Sequence, residues 1–124
     1  MSNFTGTLLG ESIRLGAVLD AVPLAVTKVY REAAGDVEAG QPELWTFVEF
    51  TVAAEHAAGL AESLSRVLIE EGGWYCDFRS HDEIYVVFFG RIFRYRRGDR
   101  VERAKAEQHG RSMGIPESNL DWPE

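Results

Sequence analysis

The chain has 124 residues, 45% of them hydrophobic and 27% charged, which is typical of one folded domain and excludes a disordered or fibrous chain. Its formal net charge of −7 disfavours nonspecific attraction to nucleic acid or anionic lipid, and its single cysteine excludes an intramolecular disulfide. The chain has no apolar stretch long enough to cross a bilayer and no basic region followed by an apolar run at its start, so we expect a cytoplasmic single domain over residues 1–124 without membrane contact.

The first half of the chain predicts two strands after an irregular start. Residues 1–20 scatter glycines among aliphatic residues, which predicts an irregular lead-in with at most a short strand. β-Branched residues dominate 24–30 and predict the first strand, whereas glycines, acids and a proline in 31–43 predict a loop. Residues 44–52 predict the second strand. Because this strand carries aromatic side chains on both faces, we expect it to be central in a sheet.

A helix and three extended segments follow. In 54–71 apolar residues recur every three or four positions up to a Gly-Gly pair, which predicts a helix with one face on the sheet. Segments 74–78 and 84–89 predict a hairpin, and 92–95 continues in extended form. Gly90 between the last two segments is compatible with a tight turn or with a bulge in one long strand, and the sequence leaves both open.

The last part of the chain predicts a second helix and a packed tail. Asp99 is placed to cap this helix, and Glu102 follows at the spacing of a capping box. The apolar face of the helix is narrow, which indicates a surface helix rather than a core one. Residues 114–124 begin with a helix-breaking Gly-Ile-Pro and contain Leu and Trp, so we expect a C-terminal tail packed on the body.

The order of these elements predicts an α+β fold. We expect an antiparallel sheet of four to five strands with a β-α-β-β core and two helices. The ferredoxin-like plait is the nearest common architecture. The chain would be a variant of it, because the loop in place of the first crossing helix has too many helix breakers.

The densest set of reactive side chains surrounds the predicted hairpin, at Cys76, Asp77 and His81. A cysteine with a histidine could form a nucleophile, but Cys76 and Asp77 point to opposite faces of a strand. We therefore interpret the cysteine as a small buried thiol and the turn as solvated. The spacing of the three histidines matches no metal motif. We predict no catalytic residue, no metal and no cofactor.

Aromatic residues on the predicted strands give the candidate ligand site. A sheet covered by helices on one face needs a cover on the other, and aromatic side chains there are typical of a homodimer interface or a ligand cleft. The alternative is that the N-terminal segment and the tail provide the cover. The residues predicted to bind a ligand are Trp45, Phe47, Glu49, Tyr85, Arg91 and Phe93.

A basic segment runs from Arg91 to Arg111, with eight basic and three acidic residues and a local charge of +5. Arginine suits carboxylate and phosphate groups, so this segment is a candidate site for an anionic small molecule. The interpretation we favour is that the arginines pair with the chain's own acids, within one subunit or between subunits. Phe93 and Tyr95 interleave with arginines as in a single-strand nucleic-acid platform. Because alternate residues face opposite ways, we expect such binding to be weak and salt-sensitive.

These observations predict a noncatalytic ligand-binding or protein-interaction module, forming a homodimer. The first alternative is a small enzyme with a general acid or base on the sheet face, at Glu49, Asp77 or His81. The second is a weak binder of single-stranded nucleic acid through 91–111.

Overall fold

The computed structural model describes residues 3–35 and 41–124, which form one antiparallel sheet of six strands with two α-helices. The elements are β1 (Phe4–Leu9), β2 (Ala25–Ala33), β3 (Leu44–Val52), α1 (Ala57–Val67), β4 (Cys76–Arg79), β5 (Glu83–Phe88), β6 (Arg91–Arg96) and α2 (Arg100–Ser112). The strand order across the sheet is β2-β3-β1-β4-β5-β6. The predicted α+β class and antiparallel sheet are confirmed, but the sheet has six strands rather than four to five.

The additional strand is β1, which lies in the middle of the sheet between β3 and β4. The sequence predicts an irregular lead-in here because glycine weakens the strand pattern. Gly6 instead permits a close approach of two strands. A Cβ at this position would lie 2.5 Å from the Asp77 carbonyl oxygen and 2.6 Å from Phe78 Cβ. The missing side chain is therefore what allows β1 to pair tightly with β4.

Several element boundaries differ from the predictions. Strand β2 extends to Ala33, so it includes the first residues of the predicted loop 31–43, of which 36–40 lie outside the described residues. Helix α1 stops at Val67 because Leu68 adopts an extended conformation and bridges to Ile13. Between β5 and β6 the structure has a tight two-residue turn, with Gly90 at φ +71° in its second central position. The bulge alternative at this glycine is thereby excluded.

The Asp99 cap predicted for the second helix is confirmed, whereas the Glu102 side chain pairs with Lys105. The Asp99 side chain accepts a hydrogen bond from the backbone N–H of Glu102 at 3.0 Å. Helix α2 buries only Ala106 and Gly110, in agreement with the narrow apolar face of its sequence. Gly110 contacts the tail closely, since a Cβ there would lie 2.6 Å from Leu120 Cδ2.

The sheet carries a hydrophobic cluster on each face, and strand β5 is therefore buried on both sides. On the first face, α1 packs over Tyr85 and Val87 of β5 and over side chains of the neighbouring strands. On the second face, α2 and the tail pack over Ile84, Val86 and Phe88. The tail residues buried there are Ile115, Leu120 and Trp122. This cover extends over β4–β6, so the β2-β3-β1 half of the second face keeps half-buried and exposed side chains.

Candidate functional site

A cleft lies on the second sheet face, at the border between its covered and open halves. Its volume is about 300 Å³. Five aromatic residues line it, namely Tyr30, Trp45, Phe47, Trp74 and Tyr75, together with two acids, Asp77 and Asp121. We call this site the aromatic cleft.

Strand register places these side chains together. Tyr30 of β2 lies opposite Phe47 of β3, and Thr7 of β1 lies opposite Asp77 of β4. Because side chains alternate along a strand, Phe47 faces the cleft while its neighbour Val48 packs against the cluster under α1. The cleft therefore extends across four strands and ends at the tail.

One wall of the aromatic cleft is a run of ring contacts. Tyr30 and Phe47 stack with centroids 4.9 Å apart and planes within 5°. Trp45 bridges Phe47 and Trp74 at centroid distances of 6.3 and 5.6 Å. The Trp45 indole N–H donates to the Pro42 carbonyl at 2.9 Å, which orients the ring. These contacts hold the wall in place without a ligand.

Asp77 supplies a carboxyl group beside these rings. Burial raises the pKa of Asp77 to about 6, the Arg79 guanidinium lowers it, and the Asp121 carboxylate raises it further. The backbone N–H of Asp77 itself also lowers this pKa, through a hydrogen bond to the carboxylate. The group is therefore an acid whose charge changes close to neutral pH.

Cys76 lies on the other face of the sheet, which confirms that it and Asp77 cannot share a cavity. Its side chain is buried, with Sγ 3.6 Å from the Thr7 carbonyl oxygen. Burial and the Asp77 charge raise the pKa of the Cys76 thiol well above its usual range. A thiolate nucleophile is therefore not supported at this position.

The opposite wall of the aromatic cleft is the tail. The Tyr75 hydroxyl donates to the Asn119 carbonyl, and burial raises the pKa of Tyr75 far above its usual value, so it stays a donor. Trp122 donates to the Tyr95 hydroxyl at 2.7 Å. Arg103 of α2 donates to the carbonyls of Trp122 at 2.8 Å and Pro123 at 3.0 Å. These bonds fasten the tail beside the sheet.

Of the six residues predicted to bind a ligand, Trp45 and Phe47 line the aromatic cleft. Glu49 lies further along the same face of β3, beside Tyr30. Tyr85 belongs to the first-face cluster, where it stacks on Phe78 at 4.8 Å.

The remaining two, Arg91 and Phe93, lie on the far edge strand β6. They form a shallow groove with α2, in which the Arg91 guanidinium stands 4.6 Å over the Phe93 ring. His109 in this groove is half-buried, and its Nε2 atom is buried without a hydrogen-bond partner among the described residues. Burial and the Arg91 charge lower the pKa of His109. The six residues therefore lie at four places, and only two of them line the aromatic cleft.

Sequence reasoning named Asp77 only as a candidate general acid or base, and it left Tyr30, Trp74 and Tyr75 out of the predicted site. A usable signal was present, because aspartate is rare inside strands and Asp77 alternates with the apolar Cys76 and Phe78. An acid in that position has to face either solvent or a polar cavity. Which of these it faces depends on the tail, whose path the local pattern does not determine.

Acids of the same chain form ion pairs with four of the eight basic residues in the basic segment. Its ion pairs within the described residues are Arg94 with Glu83, Arg103 with Glu107, Lys105 with Glu102 and Arg111 with Glu117. Along β6, Phe93 and Tyr95 face α2 whereas Arg94 faces the other way, over the Tyr85 ring. The predicted division of this strand between two faces is confirmed.

The structure gives no metal centre or membrane span among the residues it describes. Within 3–35 and 41–124, no three His, Cys, Asp or Glu side chains lie close enough to hold a metal ion. No helix in these ranges combines the length and apolar character needed to cross a membrane.

Comparison with known proteins found no match to a family model, to a curated protein or to a solved structure. The function therefore has to be inferred from the geometry and chemistry of the chain itself.

Proposed function

We propose that the protein binds a small molecule with a planar apolar body in the aromatic cleft. The observation that carries this proposal is a concave site of about 300 Å³ that is lined by five aromatic rings and by the half-buried carboxyl group of Asp77. Small-molecule sites are typically concave and mostly apolar, with a few convergent polar groups that fix orientation. Asp77 is such a group.

The exposure of the rings supports this role. Trp74 is buried, but Tyr30, Trp45, Phe47 and Tyr75 are only half-buried. A flat ligand would cover their remaining apolar surface, which is favourable by about 25 cal/mol for each Å² removed from water. The ring contacts already present mean that little side-chain ordering is needed on binding.

Chemical-shift mapping by NMR with small soluble aromatic compounds tests the site. We expect shifts concentrated at the backbone amides of Thr7, Trp45 and Asp77. Replacing Trp45 by alanine removes one stacking surface and should weaken binding about 3- to 10-fold. Phe93→Ala, which removes a ring of the groove beside α2, is the matched control. Shifts centred on Arg91, with loss of binding in the control variant instead, would place the site in that groove.

A role for Asp77 as a general acid or base is the second candidate function. A carboxyl with a pKa of about 6 can exchange a proton readily near neutral pH. The ligand's own NMR spectrum decides between the two functions. Signals that stay unchanged over hours in the presence of the protein support binding alone, and new product signals that disappear with Asp77→Asn support catalysis.

The homodimer stays a prediction, and the edge strand β2 is the surface that supports it best. Eight of its nine residues are exposed, among them Val26 and Val29, and an edge strand has unpaired backbone groups. Light scattering at high micromolar concentration should give the dimer mass, and Val29→Lys should shift it toward the monomer. Val101→Lys, at an exposed valine of α2, should leave it unchanged. A monomer for the unaltered chain would contradict the prediction.

A further inference from the structure

We propose that the ligand of the aromatic cleft carries an ammonium group, which binds beside Asp77 and Asp121 and against the aromatic rings. This inference rests on the proposed function and adds the chemical class of the ligand. Its starting point is the charge of the lining: among the described residues that line the cleft, the two charged ones are both acids, and lysine, arginine and histidine are absent.

The cations nearest to this pair of acids do not fill the cleft. Arg103 of α2 is held by Glu107 at 3.1 Å and by two carbonyl groups of the tail. Arg79, two residues along β4, lies outside the lining and lowers the pKa of Asp77 less than burial raises it. A bound ammonium would therefore supply the counter-charge that Asp77 lacks.

The aromatic wall suits the same ligand class. The face of an aromatic ring attracts cations through its quadrupole. The chain itself shows this at the edge of the cleft, where Lys28 Nζ stands 4.4 Å over the Tyr30 ring. Rings combined with carboxylates are the arrangement by which proteins recognise amines and quaternary ammonium groups.

An anionic ligand fits the cleft poorly. It would face the carboxylates of Asp77 and Asp121 with no cation in the lining among the described residues, and like charges at short range repel. The anionic small molecule expected from the sequence would have to bind the basic segment instead, where four of the eight basic residues already form ion pairs with acids of the chain.

Three probes that share one ring test the inference: benzylammonium, neutral benzyl alcohol and anionic benzoate. In NMR titrations at pH 7.5, we expect benzylammonium to bind about 10-fold tighter than benzyl alcohol, and benzoate to bind most weakly. Asp77→Asn should remove the preference for benzylammonium and leave benzyl alcohol binding unchanged. Asp121→Asn tests the second carboxylate if the first variant does not fold. Asp20→Asn, at an exposed acid, is the matched control.

The pH dependence gives a second readout. Asp77 faces Arg79 of its own strand, Asp121 of the tail and Arg103 of α2, and its pKa of about 6 means that it takes up a proton between pH 7 and pH 5. The affinity for benzylammonium should then fall about 10-fold over this range, while that for benzyl alcohol stays constant.

The outcomes separate this inference from the proposed function. If all three probes bind equally and Trp45→Ala weakens them all, the cleft is a ligand site but the ammonium inference is wrong. If none of the probes shifts residues of the cleft, the proposed function and the inference are both overturned.

Discussion

Replacing Leu64 by alanine is expected to lower the free energy of unfolding by about 2–5 kcal/mol. Leu64 is fully buried on α1, within the cluster that joins this helix to Phe78 and Val87 of the sheet. Truncation removes apolar contacts and leaves a cavity that a close-packed cluster cannot fill. Urea unfolding followed by tryptophan fluorescence measures the change.

The matched control is Leu15→Ala. Leu15 is 97% exposed, so the same substitution should change the free energy of unfolding by less than about 0.5 kcal/mol. An equally small effect at Leu64 would mean that α1 presents a different face to the sheet.

Asp77→Asn is expected to raise the stability of the protein at neutral pH. The ordinary pKa of aspartate is 3.8, and that of Asp77 in the folded protein is about 6. Between these pH values the folded state holds more protons than the unfolded state, so the free energy of unfolding falls as pH rises through this window. The loss amounts to about 1–3 kcal/mol, and asparagine, which does not ionise, avoids it.

Thermal unfolding between pH 4 and pH 7.5 tests this expectation. The unaltered protein should lose stability from pH 4 to pH 6 relative to Asp77→Asn, and Asp20→Asn should follow the unaltered protein. Parallel curves for Asp77→Asn and the unaltered protein would show that Asp77 has an ordinary pKa. Together with the binding experiment, the expected result would identify a residue that favours binding at the expense of stability.

Features that depend on local sequence were predicted well. The Asp99 cap and the helix over α1 follow from patterns within a few residues, and both are present. The bounds and the central place of strand β1 were not predicted, because Gly6 looks like a break in a strand. Glycine is required at this position because the chain passes too close to Asp77 and Phe78 for a side chain to fit, and these residues are more than seventy positions away in sequence. Such a requirement is visible only once strands β1 and β4 are neighbours.

The candidate site shows the same limit. Because side chains alternate along a strand, Trp45 and Phe47 of β3 must share a face, and both line the cleft. Whether Tyr85 shares that face depends on the register between β4 and β5, and the structure places it on the other side. Arg91 and Phe93 were separated from the cleft by the strand order, which puts β6 at the far edge. Strand order and register are non-local, so a pattern read along the chain does not specify them.

The tail wall makes the aromatic cleft an assembled site rather than a feature of the sheet alone. If residues 114–124 detach while the sheet remains folded, the cleft loses Asn119 and Asp121 together. Such partial opening requires less free energy than global unfolding. A ligand that binds only the closed form must then slow the opening, and its apparent affinity scales with the closed fraction. Hydrogen exchange at the backbone amides of Leu120 and Trp122 would therefore report occupancy of the cleft, and detachment of the tail would provide a route for the ligand to leave.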